Sequence, residues 1–209
     1  MSAFAMKPVC RNVYFFLSQE SQDDDIIQII LHGITDALKF IHRNGISHND
    51  VNDRNILLRE LEDGKLQPVL VDYSIASKMY DTIEGFRGTP QFTHREIHKK
   101  SKWLPVPNFD WTSLGLTMVA LIEKGLIPWS GFHGIESGND EYERRIQEAK
   151  ACLASAVETN KIGEKLKEEI EGLVVLDKES SNKCKKEKPD AAVDDLTFLD
   201  KKLTIPGTE

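Results

Sequence analysis

The chain has 209 residues, 40% of them apolar, enough to bury the core of one domain with or without a tail. Its formal charge of −7 opposes a nucleic-acid footprint, because phosphate binding wants a basic face. No stretch reaches the ~18 consecutive apolar residues that span a bilayer, and the short run Val13 to Leu17 is a poor signal sequence.

In chain order, residues 1–11 read as an extension before the fold. Ser21 is a suitable helix N-cap, and Asp23, Asp24 and Asp25 follow at the positive end of the dipole. Ile27, Leu31, Ile34, Leu38 and Ile41 then repeat at steps of four and three, which predicts a helix with one buried face, ended by Gly45. Asn55 to Arg59 and Pro68 to Val71 flank the polar turn Glu62-Asp63-Gly64-Lys65 and predict a small β-hairpin. Asp72 to Glu96 is loop-like, with Gly85, Gly88 and Pro90 as breakers. Trp111 to Ile122 is apolar on almost every side and too short to cross a membrane, so it predicts a helix inside the fold. Glu141 to Leu176 has a helical rhythm broken near Asn160 to Gly163, giving two helices. Residues 177–209 contain the charged run Lys183 to Asp190 and read as a flexible, solvated tail; a basic docking motif there is the minor alternative. Cys10, Cys152 and Cys184 are widely spaced and read as free thiols of an intracellular protein, cytoplasmic or nuclear. His32, His42, His94, His98 and His133 show no metal-ligand spacing.

Four segments carry chemistry, and their order matters more than any one alone. They are His48-Asn49-Asp50-Val51-Asn52-Asp53-Arg54-Asn55, Val69-Leu70-Val71-Asp72-Tyr73-Ser74, Gly88-Thr89-Pro90-Gln91-Phe92-Thr93-His94-Arg95-Glu96, and Asp110-Trp111-Thr112-Ser113-Leu114-Gly115. In series they resemble the protein-kinase family: its H-R-D-L-x-x-x-N catalytic loop, the strand into D-F-G, the G-T-P-x-Y-x-A-P-E close of the activation segment, and the D-x-W-S-L-G start of the central helix. Aminoglycoside-type phosphotransferases share the Asp/Asn/Asp pattern but lack the G-T-P segment, so they rank lower. The minor alternatives are that Asp50 is a turn carboxylate, which its place inside the motif disfavours, and that Asn55 only caps a turn.

The resemblance implies a mainly α, kinase-like C-terminal lobe with a small β-hairpin over residues 12–176, a truncated form of the α+β kinase fold. It implies ATP and magnesium as cofactors and phosphoryl transfer to serine or threonine hydroxyls of a protein substrate. By the same resemblance Asp50 accepts the hydroxyl proton, Asn55 and Asp72 hold magnesium, and Thr89 ties the substrate-docking loop to the base. Arg54 supplies positive charge, Asp110 holds the catalytic-loop backbone, and His48 stacks with Tyr73.

The departures are equally specific. Asn49 stands where the family has a phosphate-gripping arginine and Asn52 where serine/threonine kinases have a lysine. Ser74 replaces the D-F-G glycine, and His94 and Arg95 replace alanine and proline before Glu96. No G-x-G-x-x-G and no strand lysine of the nucleotide clamp occurs, and Asn12 to Leu17 resembles the helix after the hinge, so the N-terminal lobe is expected to be absent. Negligible activity of the isolated chain follows, with an apolar upper surface that seeks a kinase N-lobe partner. The alternatives are a non-catalytic, pseudokinase-type binding or decoy module, or a truncated isoform. Neither nucleic acid nor membrane is expected as a partner.

Overall fold

The computed structural model describes residues 10–13, 24–125, 127, 129 and 139–175. The expected N-cap Ser21, the run 14–17 and the tail 177–209 lie outside them. Strand β1 is Arg11–Asn12; helix α1, Asp24–Arg43, leads into β2, Ile46–Ser47, and a 3₁₀ turn at Asp53–Asn55. Strands β3, Ile56–Glu60, and β4, Leu66–Leu70, are followed by β5, Ser77–Lys78, and β6, Ile83–Glu84. Helix α2, Arg95–Lys99, β7, Lys102–Trp103, and three long helices complete the order: α3, Pro107–Ile122, α4, Asn139–Glu158, and α5, Glu164–Val175.

The buried face of α1 is the one its spacing predicts. Ile27, Leu31, Ile34, Leu38 and Ile41 are all buried, joined by Ile30. Gly45 ends the helix at φ +72°, its N–H donating to the His42 carbonyl at 2.9 Å, a conformation that glycine adopts without a Cβ penalty. β3 and β4 form the predicted hairpin, with Ile56 opposite Leu70 and Glu60 opposite Leu66. α1 lies on this hairpin so closely that a Cβ on Gly33 would come within 2.8 Å of Pro68.

Of the helix expected from Asn12 to Leu17, Val13 is helical and 14–17 lie outside the described residues, while Asn12 itself closes strand β1, which pairs antiparallel with β3 as a third strand. The Asn12 amide donates to the Arg54 carbonyl at 3.0 Å, a side-chain bond that ties the end of β1 to the 3₁₀ turn.

Helix α3 is the hub. Every residue from Phe109 to Ile122 is buried, as its apolar composition requires. It packs against α1, α4 and α5, and Gly115 lets the α5 backbone approach, since a Cβ there would sit 2.8 Å from the Val174 nitrogen. The break between α4 and α5 falls where expected, with Asn160 at φ +54°. Among the described residues no helix is long and apolar enough to cross a membrane, and Cys10 and Cys152 are free thiols.

Candidate active site

The site is built at the N-terminal end of α3. Asp110 is fully buried there and gathers four donors or partners. Its Oδ2 accepts from the His48 N–H at 2.8 Å and the Ser47 hydroxyl at 2.9 Å, and its Oδ1 accepts from the Asn49 N–H at 2.8 Å. The His42 ring, equally buried, lies 2.8 Å from Oδ2. Burial alone would raise this carboxyl, but the His42 contact and the two backbone N–H groups outweigh it and hold it below the usual range. The carboxylate therefore fixes the path of residues 47–49. Asn49 takes a positive φ of 67° within it, and its amide donates to the Ile75 carbonyl and the Ser77 hydroxyl, both at 2.9 Å.

His48 is a core residue, as its surroundings in sequence suggested. Its Nδ1 accepts from the Asp50 N–H at 3.3 Å, which leaves Nε2–H to donate to the Val71 carbonyl at 3.0 Å, and its ring packs on Tyr73 with centroids 4.8 Å apart.

Asp50 stands in the next position, half-buried, with both oxygens held. Oδ1 accepts from the Thr89 N–H at 2.8 Å and the Thr89 hydroxyl at 2.7 Å; Oδ2 accepts from the Asn55 amide at 3.0 Å. The same Asn55 amide donates to the Asp50 carbonyl at 2.8 Å, so the remaining polar atom of that side chain is a carbonyl oxygen, a donor type magnesium accepts. Thr89 reaches Asp50 because Gly88, at φ +100°, passes so close to the loop that a Cβ would meet the Asn49 carbonyl oxygen at 2.6 Å.

Asp72 is coupled to this group through the backbone: the Val71 N–H donates to the Asn55 carbonyl at 2.9 Å, and Asp72 follows at φ +63°. Its exposed carboxylate is held below the usual range, and ionised at neutral pH, by the Ser74 side chain and then by the Ser74 N–H, which donates to it at 3.2 Å. An asparagine carbonyl and an ionised aspartate fit a hard cation that keeps several waters and phosphate oxygens. Among the described residues no cluster of three or more His, Cys, Asp or Glu side chains forms a metal cage. Arg54 is exposed on the 3₁₀ turn, its N–H donating to the Asn52 side chain at 2.9 Å. The structure thus joins Asp50, Asn55 and Thr89 directly, links Asp72 through one backbone bond, and leaves the Arg54 side chain at the surface.

Sequence reasoning treated Asn52 only as a missing lysine. It is buried and caps the turn, and its amide donates to the Asp50 carbonyl at 3.1 Å and the Thr89 hydroxyl at 3.2 Å. An asparagine immediately before a short turn was the available signal. His94, where the family has alanine, caps α2 by accepting from the Glu96 N–H at 3.1 Å and packs on Phe109 at 4.5 Å. Glu96 pairs with Lys100.

The model of the protein kinase domain matches residues 7–186. This chain belongs to the protein kinase domain family. Three relatives show the range of similarity. Serine/threonine-protein kinase C of Synechocystis is 34% identical over 105 residues, 46% of this chain and 18% of that protein. Serine/threonine-protein kinase pim-2 of Danio rerio is 23% identical over 154 residues, 72% of this chain and 48% of its own length. The B1 kinase of vaccinia virus is 30% identical over 107 residues, 46% of this chain and 34% of that protein. The chain thus spans less than half the length of these kinases. As a kinase-like domain it presents its catalytic-loop motif on the hydrogen-bonded frame just described.

Proposed function

We propose that this chain is the C-terminal lobe of a serine/threonine-type protein kinase domain, completed by a nucleotide clamp from elsewhere in a longer molecule or from a partner. One observation carries the reading: Thr89, from the activation segment, and Asn55, from the catalytic loop, both converge on the Asp50 carboxylate. In this reading residues 12–176 form the lobe, residues 1–11 precede it, residues 177–209 are a tail, and the protein is intracellular.

Phosphoryl transfer asks the protein for position and charge more than for covalent chemistry. Asp50, with its orientation fixed from both sides, accepts the proton of the acceptor hydroxyl. The Thr89 hydroxyl, held by Asn52, keeps the substrate-docking loop against that base. Asn55 and Asp72 would hold magnesium, which when bound neutralises developing phosphate charge. Arg54 adds a positive charge at the mouth of the site. Tyr73 remains 44% exposed beside this machinery, the kind of apolar surface an N-terminal lobe would cover.

A second reading, a non-catalytic binding or decoy module, is favoured by Asn49 and Asn52. Both side chains are engaged in hydrogen bonds inside the lobe and bring no cation to a phosphate.

Thermal unfolding with Mg-ATP tests the two. The kinase reading expects stabilisation by mass action that Asp72→Ala or Asn55→Ala removes. No shift at millimolar Mg-ATP would leave the binding module. Missing phosphate-cradling donors cost about 3 kcal/mol each in the transition state, so the isolated chain should phosphorylate a generic peptide negligibly. Robust turnover abolished by Asp50→Ala would overturn that expectation.

A further inference from the structure

Two exposed arginines lie close in sequence to the Asp50–Thr89 pair, one on each of the two segments that build it. Arg54 lies four residues after Asp50 on the 3₁₀ turn, its backbone fixed at both ends. Its N–H donates to Asn52 at 2.9 Å and its carbonyl accepts from Asn12 at 3.0 Å. Arg87 lies two residues before Thr89, on the stretch that Gly88 presses against the catalytic loop. Both side chains are exposed, and among the described residues neither guanidinium forms an ion pair.

We propose that the acceptor is an acidic peptide, its serine or threonine flanked by Asp or Glu side chains that Arg54 and Arg87 hold from the two sides of Asp50. This rests on the kinase reading above. The two arginines come from separate segments, and the hydrogen bonds that build the base also set where their backbones stand. The pairing is not a by-product of bulk charge, because the chain as a whole carries −7 and would repel an acidic peptide elsewhere. Guanidinium groups suit the task because their planar fork matches a carboxylate at two points.

The full chain is titrated by fluorescence anisotropy with two labelled peptides, one serine each, flanked by Asp/Glu or by Lys/Arg. Two exposed ion pairs predict about tenfold tighter binding of the acidic peptide, fading as salt rises. The double variant R54E/R87E should invert that ranking and R54Q/R87Q abolish it. A control of equal charge change, K65E/K165E, on the hairpin turn and α5, should preserve it. Equal binding of the two peptides, or a preference that survives R54E/R87E or is lost equally in the control, overturns the proposal. Mg-ATP stabilisation, measured on the wild-type chain in parallel, separates the two failures. If stabilisation persists and the ranking fails, only the acidic acceptor falls. If the ranking persists and stabilisation is absent, the enzyme reading falls and the acceptor role with it.

Discussion

At the scale of single residues, the site is a set of short polar contacts that replace long charged side chains with amides. Asn49 and Asn52 stand where the family places cations, and each spends its amide on a neighbouring loop, stiffening the frame around Asp50. A second polar device sits under the docking loop. The Thr93 hydroxyl donates to the Pro90 carbonyl at 3.2 Å, so the His98 Nε2–H must supply the 2.6 Å contact between His98 and Thr93. That leaves a buried Nδ1 with no hydrogen-bond partner among the described residues. Burial, with the nearby Arg145 charge, lowers this imidazole to about 4. The unfolded chain, titrating near 6.5, binds the extra proton first, so stability is lost as pH falls from about 6.5 to about 4 and levels off below. His98→Gln should flatten this part of the acid limb in urea titrations at stepped pH. Parallel limbs for variant and wild type would contradict the assignment.

Among elements, legibility followed length. α1, α3, α4, α5 and the β3–β4 hairpin were all expected from apolar spacing, because each runs long enough for its period to show. The two-residue pairings of β2 with β5 and β6 with β7, and the short helix α2, were not. Two residues carry no period, and the partners in those pairs are brought together only by the path of the chain between them. For the same reason Asn12 was placed in the helix that follows it, whereas it closes the two-residue β1 and Val13 is the first helical residue. Between long elements, contact is set by small residues. Gly115→Val should destabilise by about 1–3 kcal/mol, because its Cβ would meet α5 backbone. Gly172→Ala, inside α5, should stabilise by about 0.5–1 kcal/mol, since a Cβ there meets nothing within 4 Å and helix entropy favours alanine. Denaturant midpoints of the two variants should move in opposite directions, and a shift of the same sign in both would refute the packing shown here.

Across the whole molecule, Asp110 ties three parts together: α1 through His42, the catalytic loop through His48 and Asn49, and its own helix α3. Asp110→Ala strands a buried histidine and two backbone donors at once and should cost about 3–5 kcal/mol, a large share of the stability of a domain this size. Asp110→Asn keeps one acceptor oxygen and should lose less. Urea unfolding followed by tryptophan fluorescence measures both, and an alanine variant as stable as wild type would mean that the anchor is dispensable. The order of the four motifs, the apolar periods and the identity of Asp50, Asn55, Asp72 and Thr89 could all be read along the chain, because they depend on residue type and local spacing. What only tertiary structure decided is that Thr89 bonds Asp50 across thirty-nine positions, that Asn52 joins them, and that Arg54 and Arg87 are left exposed. Those relations depend on how close Gly88 and the catalytic loop approach in space, a distance that no pattern along a single chain encodes.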